Sequence, residues 1–296
     1  MKNVSNLKQI IRQAIDLHVH IGPEVIPRKY FAESLIKTEL GKLAGAVLKN
    51  HFYPTTPFIN TVNKGFRLYG SVVLNNFVGG LNPEAVYAAS LVGPKPLFVW
   101  FPTISAREFL KNSKYEIAPE WINQSYFTAR LAKDINGVSI TDSNGKLSGN
   151  TIRVLKMIKS ANAALCTGHI SWQESALLIK TAIKLGIKKI IITHPIYQRI
   201  AMPVSIQKEL AQMGAFTEQC YSMWAIDRIS IKKIVQQIKA VGVSSCIITS
   251  DSGQAYSPAP SLALFLFCKK LLENSITLEE IETMLVSNPR LLVGLN

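Results

Sequence analysis

Eight short apolar runs along the chain most constrain the folds that this sequence can adopt. Each run is rich in apolar and β-branched residues and is followed by polar residues and then by a segment with helical periodicity. Near-continuous apolar runs are typical of strands buried on both faces, as in a parallel sheet covered by helices. The runs are residues 14–18, 45–49, 70–74, 97–101, 163–167, 189–193, 215–218 and 246–249. Eight strand–helix units predict an α/β fold, namely a closed (β/α)8 TIM-like barrel rather than an open sheet.

The chain is predicted to be a single domain over residues 1–296, because a barrel of this class commonly contains about 250 residues. The interval between the fourth and fifth runs is much longer than the others, which predicts an insertion after strand 4 at residues 104–162. An insertion there leaves the barrel at the carboxyl ends of the strands, where lids and binding loops lie. Within it, Asn144 and Gly145 predict the turn of a small β-hairpin at residues 137–147.

We interpret this insertion as a lid that carries much of the specificity. The alternative is a segment that packs on the flank of the barrel or mediates a homo-oligomer. Aromatic and basic side chains in the insertion suit a small ligand that is partly apolar and anionic. They are Arg107, Tyr115, Trp121, Tyr126, Phe127 and Arg130.

Composition excludes several classes of protein. With 48% hydrophobic and 18% charged residues, the chain can bury a large core and is not expected to be disordered. No apolar run approaches the roughly 20 residues that cross a bilayer, and the N-terminal segment lacks the pattern of a signal peptide. The four cysteines form no CxxC pair, which favours reduced thiols. We therefore expect a cytoplasmic protein without a membrane partner.

The chain is strongly basic, with 33 Lys and Arg against 19 Asp and Glu and a net charge of +14. The basic residues occur singly or in pairs, such as Lys188 and Lys189, and no basic block is interleaved with aromatic residues. This distribution is typical of a solvated surface and not of a nucleic-acid interface. We therefore expect a small-molecule substrate, which the charge would attract if it is anionic, and no nucleic-acid partner.

All five histidines of the chain follow predicted strands. They are His18, His20, His51, His169 and His194, and the last predicted strand is followed by Asp251. The carboxyl ends of barrel strands meet at one rim, where the active sites of this fold lie, so these side chains are expected to converge. Residues i and i+2 of a strand point to the same side, which places His18 and His20 together. Imidazole and carboxylate ligands suit zinc, and also iron, manganese or nickel.

This arrangement resembles the amidohydrolase superfamily, and the similarity covers nearly the whole chain. The matching motifs are the HxH of His18 and His20, the GH of Gly168 and His169, the THP around His194, the SD of Ser250 and Asp251, and the C-terminal segment 287–295. The segment LKNH at residues 48–51 is similar to that of a branch with no assigned substrate. The resemblance implies one or two divalent ions, most simply zinc, with ligands among His18, His20, His169, His194 and Asp251. It also implies that Asp251 handles the proton of the attacking water.

The chain departs from that superfamily at strand four. Many members with two metals carry a carboxylated lysine or a glutamate there, whereas this strand ends in Phe101, Pro102 and Thr103. Lys49 instead ends strand two and is our second candidate catalytic residue. It could be carboxylated to bridge two metals, could orient an anionic substrate as an ammonium group, or could form a structural ion pair with an acidic residue. Additional ligands or substrate contacts are expected among His51, Glu218 and Asn75.

These features predict a metal-dependent hydrolase that cleaves a C–N or C–O bond of a small molecule, with Asp251 as the proton shuttle. One alternative is a phosphoesterase of the polymerase-and-histidinol-phosphatase type, which shares the DLHxH start. That class needs a further histidine near the final aspartate, where this chain has Ser252, Gly253 and Gln254. The other alternative is a barrel that binds a metal or ligand without catalysis, because a fold does not fix a function.

Overall fold

The computed structural model describes residues 2–24, 27–59, 65–111 and 136–295. Short parallel strands alternate with helices along the described chain. The strands are β1 (Ile15–His20), β2 (Gly45–Lys49), β3 (Arg67–Tyr69), β4 (Ser71–Val73), β5 (Phe98–Trp100), β6 (Ala164–Cys166), β7 (Ile190–Ile192), β8 (Phe216–Cys220) and β9 (Cys246–Thr249). Each predicted apolar run therefore contains a strand.

The described strands form a (β/α)8-type barrel made of two parallel sheets, which meet at Gly70 and at one bridge between Val19 and Ser252. Hydrogen bonds join β1, β2 and β3 in one parallel sheet and β4 to β9, in sequence order, in another. Only Gly70 separates β3 from β4, so residues 67–73 occupy one strand position of the barrel. This segment pairs with β2 at its start and with β5 at its end. On the other side, Val19 pairs in parallel with Ser252, and the amide of His20 donates to the carbonyl of Ser252 at 2.7 Å. These contacts confirm the predicted (β/α)8 architecture.

Helices surround the barrel. The α-helices are Lys2–Gln13, Ala32–Glu39, Thr56–Ile59, Pro83–Leu91, Arg107–Lys111, Gly149–Ser160, Trp172–Lys184, Val204–Gln212, Tyr221–Ala225, Ile231–Val241, Pro260–Leu272, Leu278–Glu282 and Asn288–Val293. Asn76–Val78 and Val243–Ser245 are 3-10 turns, and Thr283–Ser287 is a π-helical turn. No helix among the described ranges is long and apolar enough to cross a membrane. All four cysteines are buried and free.

The core has an inner part and an outer part. Inside the barrel, side chains such as Ile15, Val47 and Phe98 fill the lower interior. Between the barrel and the helices, two larger apolar clusters bury the other faces of the strands. Strands buried on both faces explain why the runs in the sequence are nearly continuous rather than alternating. The upper interior, at the carboxyl ends of the strands, is left to polar side chains.

The interval between β5 and β6 contains three kinds of structure. Arg107–Lys111 is a short helix, and residues 141 and 147 form one antiparallel bridge around a turn in which Asp142 accepts the amides of Asn144 and Lys146. The predicted hairpin is thus a single bridged turn. Helix Gly149–Ser160 buries an apolar face against the barrel and is part of its wall. Tyr115, Trp121, Tyr126, Phe127 and Arg130 lie outside the described residues, so the lid remains a prediction.

Gly253 is a sensitive point for barrel closure. Its φ is +131°, a conformation that side chains of L-residues rarely adopt, and a Cβ there would collide with the carbonyl oxygen of His20. Gly145 also has a positive φ, but a Cβ at that position would meet nothing within 4 Å. A substitution at Gly145 therefore measures the cost of backbone strain alone. The same substitution at Gly253 adds the cost of a collision between β1 and the segment after β9.

We predict that Gly253→Ala lowers the free energy of unfolding by more than about 2 kcal/mol, because it adds a collision to the strain of the backbone. Gly145→Ala serves as the control and is expected to cost about 1 kcal/mol, from strain alone. Urea denaturation followed by circular dichroism measures both values. Equal losses in the two variants would contradict the tight contact between Gly253 and β1.

Candidate metal centre and active site

The carboxyl ends of the strands surround a cavity of about 150 Å³ at the mouth of the barrel. Candidate site residues at the ends of five different strands line this cavity. The lining includes His20, Lys49, His51, His169, His194 and Asp251, together with Arg28, Phe109, Tyr197, Ser222 and Tyr256. His18 lies directly beneath, fully buried, with its ring centroid 5.2 Å from that of His20. The sequence-predicted histidines and Asp251 therefore do lie at one rim.

Three side chains bring their ligand atoms to a common point. Asp251 Oδ1 is 3.1 Å from His18 Nε2 and 3.1 Å from His20 Nε2. The ligand atoms of the three residues all lie within 4.8 Å of one another. His18 and His20 are buried, and the Asp251 side chain is 13% exposed. Two imidazole nitrogens and one carboxylate oxygen are a donor set that zinc and other divalent transition metals accept.

Glu218 fixes the orientation of His18. Its Oε1 accepts from His18 Nδ1 at 2.8 Å and from the Thr249 hydroxyl at 2.7 Å, while its Oε2 accepts from the amide of His194 at 3.0 Å. Burial raises the pKa of Glu218, but the adjacent His18 outweighs it and holds the pKa below its usual value. The carboxylate therefore stays ionised and faces His18 rather than the common point. Metal-binding histidines are typically oriented in this way by a carboxylate on the second ring nitrogen.

The arrangement at His18 fits a cation. A His18 ring that donates from Nδ1 to Glu218 and carries no proton on Nε2 would present a lone pair toward the Asp251 oxygen. Burial lowers the pKa of His20 well below its usual value, so His20 is also neutral at pH 7. Burial raises the pKa of Asp251, but His18 and His20 hold it well below the usual value. A positive ion between these atoms would satisfy all three.

Lys49 lies against the same group. Its Nζ is 2.9 Å from His18 Nε2 and 5.2 Å from the centre of the Trp100 ring, and the residue is 1% exposed. Burial lowers the pKa of Lys49, although Asp251 and Glu218 oppose that shift. The structure thus places Lys49 within reach of the candidate metal ligands and of anything bound above them.

His169 and His194 lie beside the three-residue group but are not part of it. Their ring centroids are 5.0 Å apart, and the His194 ring is 6.1 Å from that of His18. Burial lowers the pKa of His169 well below its usual value and that of His194 to about 4. The Nδ1 atoms of both rings are buried without a hydrogen-bond partner among the described residues, as is His20 Nδ1. Buried polar atoms normally have partners, so these rings have unused capacity for a ligand.

His51 lines the cavity and is held by Thr103. Its Nδ1 is 2.9 Å from the Thr103 hydroxyl, whose oxygen accepts from Asn75 Nδ2. Burial lowers the pKa of His51 well below its usual value, so the ring is neutral. In the tautomer in which the Thr103 hydroxyl donates to Nδ1, the ring proton lies on Nε2.

Asn75 braces the strand ends beneath the cavity. Its amide nitrogen donates to the His51 carbonyl and to the Thr103 hydroxyl, and its amide oxygen accepts from the amides of Thr103 and Ser105. The side chain is fully buried and does not line the cavity. Asn75 therefore supports the loop that carries His51 and Thr103.

The geometry also shows site residues that the sequence did not indicate. The Ser222 hydroxyl donates to Asp251 Oδ2 at 2.7 Å, which leaves Oδ1 directed toward the two histidines. Arg28 and Glu24 form a salt bridge at the edge of the cavity. Ser222 follows β8 by two residues and Arg28 follows β1 by eight, so their position after a strand was the available signal. A serine or an arginine shortly after a strand is too common for that signal to be selective.

Backbone strain is also found at this site. His194 has a φ of +23° and Asp251 a φ of +50°, although neither residue is a glycine. Such conformations cost of order 1–3 kcal/mol and persist where the surrounding structure enforces them, most often at functional sites.

Comparison with known proteins places the chain in a family. The model of a family of unknown function, DUF6282, matches residues 13–218, which is more than half of the chain. The match includes His18, His20, His51, His169 and His194 and ends before Asp251. A search of curated proteins found no match.

Solved structures share the fold over nearly the full length. An amidohydrolase from Pseudomonas aeruginosa superposes with a TM-score of 0.62 at 11% identity, covering 99% of both chains. The probable dipeptidase PvdM from Pseudomonas aeruginosa gives 0.61 at 10% identity, covering 99% of this chain and 98% of the other. YJJV, a TatD homolog from Escherichia coli, gives 0.56 at 11% identity, covering 97% and 100%. The resemblance indicated by the sequence is thereby confirmed at the level of the fold.

We predict that the metal-free protein binds one zinc ion tightly and that His20→Ala weakens this binding more than Glu218→Gln does. Loss of a ligand removes a bond to the ion, whereas loss of an orienting carboxylate typically costs 10–100-fold in affinity. Isothermal titration calorimetry measures the three affinities. His51→Gln is the control and is expected to leave the affinity unchanged. If His51→Gln lowers the zinc affinity as much as His20→Ala does, His51 is itself a ligand of the metal.

Proposed function

Because the chain belongs to the DUF6282 family, whose function is unknown, and has the fold of an amidohydrolase, we propose that it is a metal-dependent hydrolase of a small molecule. The bond cleaved is a C–N or C–O bond next to a carbonyl group. The observation that carries this proposal is the convergence of His18, His20 and Asp251, with Glu218 behind His18. Zinc is the metal that we propose, because nitrogen and oxygen donors in a small buried group suit it; iron, manganese or nickel fit the same donors.

His18, His20 and Asp251 would hold the ion, and the unused nitrogens of His169 and His194 are the nearest further donors. A divalent ion bound there supplies a more acidic water molecule and polarises a carbonyl oxygen. The remaining chemistry falls to side chains of the protein. These side chains line a buried cavity, and the exclusion of bulk water from it strengthens their electrostatic interactions with a substrate.

Asp251 is the proposed general base. Its Oδ2 is held by the Ser222 hydroxyl, so rotation of the carboxylate away from the histidines would break a hydrogen bond. The fixed carboxylate can accept the proton of the attacking water and return it to the leaving group. Its depressed pKa keeps it ionised at neutral pH.

Lys49 and His51 are the proposed electrophilic groups. The Lys49 ammonium group lies beside His18 and is the nearest positive charge for the negative charge that develops on a carbonyl oxygen. His51 would donate through Nε2, because Thr103 occupies its Nδ1.

Two other functions are less well supported. A three-metal phosphoesterase needs more ligands than the single group of three that the described residues form. A barrel that binds without catalysis would not need a carboxylate held by a serine at the position of a general base. Analysis of the purified protein for bound metal, followed by hydrolysis assays on amides, lactones and phosphoesters, tests the proposal. Metal-dependent cleavage of an amide or lactone supports it, and its absence in the zinc-loaded protein contradicts it.

We predict that Asp251→Asn lowers kcat by about 100-fold or more, because asparagine cannot accept the proton. Ser222→Ala is expected to lower kcat by about tenfold, since the loss of a hydrogen bond to a charged group frees the carboxylate to rotate. Steady-state kinetics on the substrate found in the panel measure both. Ser90→Ala, which changes a half-buried serine on helix Pro83–Leu91 away from the cavity, is the control. Near-normal turnover of Asp251→Asn would assign the proton transfer to another residue.

A further inference from the structure

Arg28 stands at the edge of the cavity with its side chain 3% exposed. Its Nε donates to Glu24 Oε2 at 2.6 Å, and the side chain of Glu24 is fully buried. The other oxygen of Glu24 accepts from the amide of His51 at 3.2 Å. The guanidinium group is therefore attached, through one carboxylate, to the loop that follows β2.

The backbone of Arg28 is fixed as well. Arg28 pairs with Gln254 in an antiparallel bridge, and the amide of Lys29 donates to the carbonyl of Gly253 at 2.8 Å. Both partners lie within three residues of Asp251. Arg28 thus connects the loop after β1 to the segment that carries Asp251, and its position relative to the proposed reaction centre is set from both sides.

This salt bridge uses only one edge of the guanidinium group. Among the described residues, no hydrogen bond is made by Nη1 or Nη2 of Arg28, although the residue lines the cavity. Arginine presents its donors as a rigid planar fork that matches a carboxylate with two parallel hydrogen bonds. The free edge of Arg28 has the geometry for that pairing, and the Glu24 contact holds the plane in one orientation.

We propose that Arg28 binds a carboxylate group of the substrate, so that the protein acts on small carboxylic acids that also contain the amide or ester bond to be cleaved. This inference rests on the proposed hydrolase function. Arg28 would hold the far end of such a molecule and place its scissile bond over His18, His20 and Asp251. The loop after β1 is then the specificity element of the site.

The test compares two probes on the zinc-loaded protein by isothermal titration calorimetry. Succinate has two carboxylates, and butyrate replaces one of them with a methyl group, so only succinate can engage both the metal centre and Arg28. The protein is expected to prefer succinate by about tenfold or more, the range for hydrogen bonds to a charged group. Arg28→Gln should abolish that preference. Arg153→Gln, which removes an exposed arginine from helix Gly149–Ser160, should keep it.

The proposal is overturned if the wild-type protein does not prefer succinate, or if Arg28→Gln keeps the preference. If inorganic phosphate binds tighter than succinate to the wild-type protein but not to Arg28→Gln, the group that Arg28 recognises is a phosphate and not a carboxylate.

Arg28→Gln leaves Glu24 buried without its partner and could unfold the loop. The double variant Glu24→Gln/Arg28→Gln removes both charges, and Arg28→Lys keeps the charge but loses the fork; both should lose the preference.

These outcomes are separate from those for the proposed function, because the probes bind without being cleaved. If the protein prefers succinate through Arg28 but hydrolyses no substrate, the proposed hydrolase function is wrong and the proposed carboxylate site at Arg28 stands. A protein that cleaves neutral amides as well as carboxylated ones, with Arg28→Gln unaffected, contradicts the carboxylate site and not the hydrolase.

Discussion

Closure of β1 against the end of β9 is the constraint on which the site depends. Asp16 Oδ1 accepts the amides of both His18 and Ser250, and Val19 pairs with Ser252. The pairing register of β1 with β2 shifts between residues 16 and 19, and this irregularity falls at His18. A local irregularity of this kind re-aims side chains at the rims of barrels. Without closure, the first strand and the last would lie at opposite edges of an open sheet, and His18 and His20 could not meet Asp251.

The site follows from what closure buries. Carboxylates and imidazoles at the upper end of the barrel lose water, and four of the site's side chains are compensated by a partner. Glu218 orients His18, Ser222 orients Asp251, Thr103 orients His51 and Glu24 orients Arg28. Each of these four groups is thus held by a neutral or oppositely charged partner. Such preorganisation is what electrostatic catalysis requires.

The positions of the barrel strands, and of the histidines at their carboxyl ends, could be predicted from the sequence because both depend on local patterns. Apolar runs give buried strands, and the residue after a strand lies at the rim whatever the loops do. The roles of Glu218 and Asn75 could not be predicted, since they depend on which atoms the pairing register brings within 3 Å. Arg28 and Ser222 escaped notice because one lies in a loop and the other at the start of a short helix, where their residue types are common. The strand β3 lies before the predicted run, which began at Gly70, because Arg67 breaks the apolar pattern there.

A crystal structure of the zinc-loaded protein, with anomalous diffraction at the zinc edge, tests the central claim most directly. The account predicts an anomalous peak within bonding distance of His18 Nε2, His20 Nε2 and Asp251 Oδ1, with Glu218 still on His18 Nδ1. A peak elsewhere in the chain, or a loaded protein in which these three atoms bind no ion, would contradict it.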